Sequence, residues 1–344
     1  MSDKNLLIHL ASRPEGWPTP DNFKAVEEAI PEPGEGEVLV RNIYMSVDPY
    51  MRGRMNDVKS YVPPFQIDQP LDGHAVGQVI KSRSDDVKEG DFVTSGQGWR
   101  EYFVAEGKVA PFPGLTPVDP KLAPLSAWLG VLGMPGLTAY AGLLEIGQPE
   151  EGEQVFVTAA SGAVGSLVGQ IAKIKGCRVA GSAGSDEKVA LLTDELGFDA
   201  AFNYHTDDLG AAFKAACPRG IDVYFDNVGG PQLEAGLAHM RPFGRVPVCG
   251  MIALYNETKL PPGPSTIVSV IPNRLRIQGF IVSDHMDVAG QFFNDMGQWL
   301  QEGRIKFRES IVDGLENAPQ AFIDMMKGKH TGKVVVQISP DPTK

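Results

Sequence analysis

The chain has 344 residues, 42% hydrophobic and 22% charged, a globular balance with room for about two domains that excludes disorder and coiled coil. Acidic residues outnumber basic ones by 43 to 31, giving a net charge of −12 with no basic cluster, so nucleic acid and anionic membrane surfaces are not expected partners. Three cysteines are too few for a disulfide framework and point to a reducing, cytoplasmic setting.

The apolar run at residues 6–11 is too short and too interrupted for a signal peptide. From residue 37 to 110 the texture is β-like. Short alternating segments at 38–43, 75–80 and 91–94 are punctuated by Pro63, Pro64, Pro70, Pro111 and Pro113. Many short strands with turn signals predict a small, barrel-like antiparallel domain. Residues 122–144 carry no charge, but Pro124, Gly130, Gly133, Pro135 and Gly136 would break a membrane-spanning helix. They read as a buried crossover segment.

After residue 154 strands alternate with helices. Strands are predicted at 155–158, 178–182, 222–225, 244–248 and 333–338, and helices at 164–174, 186–196, 232–240 and 292–300. That alternation predicts a parallel, doubly wound α/β sheet.

Between the first of these strands and its helix lies Ala160-Ser161-Gly162-Ala163-Val164-Gly165, a G-x-G-x-x-G pattern with Ala at the first position. A dinucleotide pyrophosphate needs such a turn, because Gly162 admits the phosphates to the backbone and Gly165 lets the helix lie close to the sheet. The second strand ends Ser182-Ala183-Gly184-Ser185, without the carboxylate that an NAD ribose requires. A neutral tip with Lys188 one turn on favours NADPH. Ser185 can hydrogen-bond the phosphate, and it is also a plausible helix N-cap.

Catalytic zinc needs thiolate and imidazole ligands in the first domain, yet Cys177, Cys217 and Cys249 all lie in the second half. His74 has no partners at ligand spacing. Polarising a simple carbonyl without a Lewis acid is difficult. A conjugated enone asks less, since hydride can enter at the β-carbon while hydrogen bonds hold the enolate oxygen, each worth about 3 kcal/mol in well-studied oxyanion sites.

Four further stretches occur together and in order: Ser46-Val47-Asp48-Pro49-Tyr50-Met51-Arg52, Gly136-Leu137-Thr138-Ala139-Tyr140, Phe225-Asp226-Asn227-Val228-Gly229-Gly230, and Cys249-Gly250-Met251-Ile252-Ala253-Leu254-Tyr255-Asn256. On these the chain resembles, over nearly its whole length, the zinc-independent medium-chain reductases. That branch includes bacterial curcumin reductases, plant alkenal double-bond reductases and animal leukotriene/prostaglandin reductases. The resemblance implies a GroES-like β-barrel catalytic domain at 1–128, a Rossmann NADP-binding domain at 129–304, and completion of the catalytic domain by 305–344. It implies NADPH-dependent reduction of the C=C bond of α,β-unsaturated ketones and aldehydes by a homodimer.

Carried over by motif, Gly184, Ser185, Lys188 and Tyr204 would hold the 2′-phosphate, beside the turn Gly162, Ala163, Val164 and Gly165. Asn227 would contact the cofactor, Cys249 and Tyr255 would flank the nicotinamide, and Phe280, Ile281 and Val282 would complete that wall. The family commonly has Asn two residues before its final Gly-Lys; here His330 stands there.

Tyr255 is the catalytic candidate, because a phenol can bond the cofactor ribose or the substrate carbonyl, donating a proton or only positioning. Tyr50 and Tyr61 are candidate aromatic contacts for the substrate. Arg52 and Arg54 are expected to pair with carboxylates, and Asp48 to serve a turn. The proline-rich stretch 256–269 is expected to be a semi-rigid flap rather than a helix. Phe280, Ile281 and Val282 are expected to close an edge strand at 277–279, where apolar edges invite pairing. Quinone reduction and non-catalytic nucleotide binding are the rival readings.

Overall fold

A computed structural model of the chain describes residues 4–111, 113–205 and 208–344; the first three residues of the domain expected at 1–128 lie outside them. Two units divide the chain. One holds the described residues up to Gly130 with Glu309–His330 and Val334–Lys344; the other holds Val131–Arg308 and Thr331–Lys333.

In the first unit the ten-residue strand Glu37–Ser46 is the spine of a seven-stranded sheet. It pairs antiparallel with Ala75–Ser82, Tyr102–Glu106 and Lys333–Gln337. Val38, Val40, Val79, Val93 and Phe103 are buried on one face of it, each side chain worth roughly 1.5–3 kcal/mol against exposure. The run at residues 6–11 belongs to a strand, Lys4–Leu10, hairpinned on Phe23–Ala29.

The second unit is built on six parallel strands in the order Ala200–Asn203, Arg178–Ala183, Gln154–Val157, Ile221–Phe225, Met240–Val248, Arg276–Gly279. Gln154–Val157 and Ile221–Phe225 are buried at every position, as central strands covered on both faces must be. The chain winds outward from Gln154–Val157 to one edge and then from Ile221–Phe225 to the other. The direction therefore reverses between these two strands, and ligands bind beyond the carboxyl ends at such a point.

Several expectations shift. The predicted helix at 186–196 is α-helical only over Asp186–Ala190, then widens to a π-turn over Leu191–Glu195. That at 232–240 starts at Gly230, with Pro231 at its first turn, and ends at Leu237; Met240 already opens the next strand. Phe280–Val282 lies beyond the edge strand, which stops at Gly279. The flap at 256–269 ends in a 3₁₀ turn, Ser265–Ser269, because Thr266 Oγ1 donates to the Glu234 carbonyl at 2.7 Å and ties it to the helix Gly230–Leu237. The uncharged segment contributes a buried helix, Met134–Ala141. Among the described residues no helix is long and apolar enough to cross a membrane.

Candidate functional site

Within the second unit, the carboxyl ends of the central strands carry the predicted cofactor residues. After Val157 the chain turns through Ala159, left-handed at φ 47°, and enters the helix Gly165–Ile174. Ala160 N donates to Ser182 O at 2.9 Å, so the turn is stitched to the neighbouring strand. A Cβ on Gly165 would meet the Ala159 carbonyl at 2.4 Å, and one on Gly169 would meet Phe198 Cζ at 2.0 Å. Only glycine lets the helix lie this close. At Gly162 a Cβ would meet just the Ala159 carbonyl, at 3.2 Å, so the outer face of the turn is bare backbone. The Ala163 and Val164 N–H groups at the helix start have no protein acceptor among the described residues. Orphan donors on a side-chain-free turn fit a pyrophosphate.

The sequence expectation assigned the whole of 305–344 to the first domain. The second unit takes in 305–308 and Thr331–Lys333, where Gly332 N donates to Ser161 O at 2.8 Å and Lys333 N to Arg308 O at 2.9 Å, and the first unit runs on to Gly130.

One strand over, Gly184, Ser185, Lys188 and Tyr204 gather at the end of Arg178–Ala183. Tyr204 N donates to Ala183 O at 3.1 Å, and a Cβ on Gly184 would stand 3.2 Å from Tyr204 Oη. Ser185 is the N-cap, accepting from Lys188 N at 3.4 Å. Burial lowers the Lys188 ammonium from its ordinary pKa, as expected of a cation held out of water. The Asp186 carboxylate accepts from Asn203 Nδ2 at 2.8 Å. A hydroxyl, a phenol and a cation at one strand end fit a phosphate dianion.

Across the reversal point lies the second cluster. Asn227 N donates to Thr158 Oγ1 at 2.8 Å and Asn227 Nδ2 to Thr158 O at 2.7 Å, leaving the Asn227 amide oxygen as an acceptor. Cys249 N and Gly250 N both donate to Asp226 O, at 2.8 and 3.2 Å. Burial, with the Asp226 charge added, pushes the Cys249 thiol up to about 12. The Tyr255 phenol oxygen accepts from Met251 N at 3.3 Å and lies 3.0 Å from where a Gly250 Cβ would be. Phe280 packs edge-on to Phe225 at 6.3 Å, and a Cβ on Gly142 would stand 2.3 Å from its ring. Gly142 was invisible to sequence reasoning because its partner lies 138 residues away. Ile281 and Val282 are half-buried beside Phe280.

In the first unit Tyr50 opens the short helix Tyr50–Arg54. Burial and the Asp48 charge raise its phenol pKa. Tyr61 itself is 63% exposed. Arg54 pairs with Asp72 as expected, and its guanidinium lies 4.0 Å over the Phe65 ring. Arg52 donates to Gly16 O at 2.8 Å and to Asn56 Oδ1 at 2.9 Å, carbonyl oxygens that hold its buried guanidinium. Asp48 accepts from Ser46 Oγ and serves the turn.

Cys177 and Cys217 are buried thiols, pushed up to about 11 and about 12 by desolvation. Among the described residues no three His, Cys, Asp or Glu side chains are placed to hold a metal ion. This donor set does not fit zinc.

Comparison with known proteins gives a consistent picture. A family model described as the N-terminal domain of oxidoreductase matches residues 7–111, and one described as zinc-binding dehydrogenase matches residues 163–300. The NADPH-dependent curcumin reductase of Escherichia coli (strain K12) is 48% identical over 337 residues, 96% of each chain. The NADP(+)-dependent 2-alkenal reductase of Nicotiana tabacum is 42% identical over 97% of this chain and 98% of its own. The crystal structure of CurA in complex with NADPH from Vibrio vulnificus superposes with a TM-score of 0.92 at 45% identity, covering 98% of this chain and 100% of the other.

Proposed function

The chain belongs to the medium-chain dehydrogenase/reductase family, alongside its curcumin- and alkenal-reductase relatives, and we propose that it reduces the C=C bond of α,β-unsaturated ketones and aldehydes with NADPH. Bound NADPH supplies the hydride, which enters at the β-carbon. The bare turn at Gly162, Ala163, Val164 and Gly165 binds the pyrophosphate through its N–H groups. Gly184, Ser185, Lys188 and Tyr204 hold the 2′-phosphate and favour NADPH over NADH. Asn227, Cys249, Phe280, Ile281 and Val282 wall the nicotinamide end.

Tyr255 acts on the substrate. Its phenol donates to the carbonyl oxygen, which becomes the enolate oxygen as the β-carbon gains hydride; the α-carbon then takes a proton. One observation carries this reading. The Tyr255 oxygen accepts from Met251 N at 3.3 Å, on a segment whose Ile252 and Ala253 N–H groups bond the carbonyls of Asn227 and Val228. The phenol is thereby tied to the strand end where the cofactor residues gather. Pre-set donors of this kind supply most of the stabilisation in oxyanion sites.

Tyr50 and Tyr61 supply the aromatic substrate contacts. The enzyme works in the cytoplasm as a homodimer, joined through the edge strand Arg276–Gly279. All four residues of that strand are exposed, beside Ile271 at 82% exposure, and this supports the pairing. Oxidation of NADPH over a panel of enones, enals, quinones and saturated ketones tests the assignment. Enones and enals should be the favoured class; exclusive turnover of quinones would overturn it.

A further inference from the structure

Asp226 follows the strand Ile221–Phe225 and is 0% exposed. Its Oδ1 accepts from Thr158 Oγ1 at 3.1 Å and from the N–H groups of Val228 and Gly229, both at 3.0 Å. Its N–H donates to Pro247 O at 2.9 Å, and its carbonyl accepts from Cys249 and Gly250. One residue thus ties together the ends of Gln154–Val157, Ile221–Phe225 and Met240–Val248, on both sides of the reversal point. No lysine or arginine among the described residues forms an ion pair with it. A buried carboxylate is a costly cap for two N–H groups unless the geometry it fixes has a use.

That geometry leads to Tyr255. Asp226 sets the turn 227–229, whose Asn227 and Val228 carbonyls accept from Ile252 N at 3.3 Å and Ala253 N at 3.1 Å, and these residues lead directly into Tyr255. Thr158 extends the connection to the glycine turn, since it bonds both Asp226 and Asn227. We propose that Asp226 is a positioning residue that, through Thr158 and the turn 227–229, sets Tyr255 and the nicotinamide-side residues against the phosphate turn. The proposal rests on the reading of the nicotinamide end given above.

Asp226→Leu and Thr158→Val remove the shared hydrogen bond, whereas Thr158→Ser keeps it. Three quantities separate positioning from general loosening: kcat on an enone, the Kd of NADPH, and the Kd of adenosine 2′,5′-bisphosphate, which reports the adenosine end alone. The two disruptive variants are expected to lose about tenfold or more in kcat and in NADPH affinity. Fragment binding should stay within about twofold, and Thr158→Ser should stay close to the parent. Unchanged kcat and NADPH affinity in Thr158→Val, or equal weakening of cofactor and fragment, would overturn the proposal. If Asp226→Leu does not fold, the two Thr158 variants decide the matter. The parent's turnover on enones judges the reaction and the cofactor-to-fragment ratio judges Asp226, so the two fail separately.

Discussion

Gly165 stands so close to Ala159 that a Cβ at residue 165 would lie 2.4 Å from the Ala159 carbonyl oxygen and 2.9 Å from the Ala160 α-carbon. Both neighbours are backbone, so the whole turn must shift to admit a methyl group. Gly165→Ala is expected to cost roughly 1–3 kcal/mol of stability in urea unfolding. NADPH affinity in a fluorescence titration should fall by about tenfold, the equivalent of roughly 1.4 kcal/mol. Parental affinity would show that the turn's close approach to the helix is not what forms the phosphate site.

In the proposed reading Lys188 carries the coenzyme preference. Burial lowers its ammonium pKa, and a 2′-phosphate bound there would set a dianion beside the cation. Lys188→Ala loses a charge-assisted contact of about 1.5–3 kcal/mol, which raises the KM for NADPH roughly ten- to hundredfold and leaves that for NADH unchanged. Equal effects on both coenzymes would place Lys188 outside the phosphate site.

Tyr255→Phe removes the phenol oxygen, and with it the bond accepted from Met251 N and the hydrogen bond that the proposed reaction draws on. Losing one oxyanion donor costs about 2.7–4 kcal/mol in well-studied sites. The expectation is therefore a fall in kcat of about a hundredfold or more, with NADPH affinity kept. Normal turnover on an enone would exclude the hydroxyl from the chemistry.

Glu153 and Arg245 form a bidentate pair at 2.9 and 2.5 Å, both largely buried. Burial alone would raise the Glu153 pKa, but the bonds from Arg245 and the Glu150 backbone outweigh it and leave the carboxyl below its ordinary value. As pH falls, the unfolded chain takes up this proton first. The pair's contribution is thus complete above the ordinary carboxylate pKa and vanishes as pH drops through the folded value. Glu153→Gln should be about 1.5–3 kcal/mol less stable than the parent at pH 7, with the gap closing in urea melts as pH falls below the ordinary carboxylate range. A gap independent of pH would contradict the pairing.

Much of the second unit was legible because its signals are local. The β-branched run at 155–157, the glycines at 162 and 165, and the apolar face of the following helix lie within twenty residues and report one strand–turn–helix. Contacts between distant segments were not legible. Nothing local marks Gly142 as the seat of the Phe280 ring, or Asp226 as the knot of three strands. Ala200–Asn203 was missed because Ala-Ala-Phe-Asn has little β-propensity, and its place beside Arg178–Ala183 comes from parallel pairing. The left-handed Ala159 also escaped, since a non-glycine residue gives no local warning of positive φ. Nothing local shows that Arg52 reaches the Gly16 carbonyl, 36 residues before it.

The measurement that bears most directly on the reaction is the fate of deuterium from NADPH labelled at the transferable position, followed into an α,β-unsaturated ketone. Reduction guided by the Tyr255 phenol predicts a saturated ketone with the label on the former β-carbon. An allylic alcohol with the label on the carbinol carbon would contradict it.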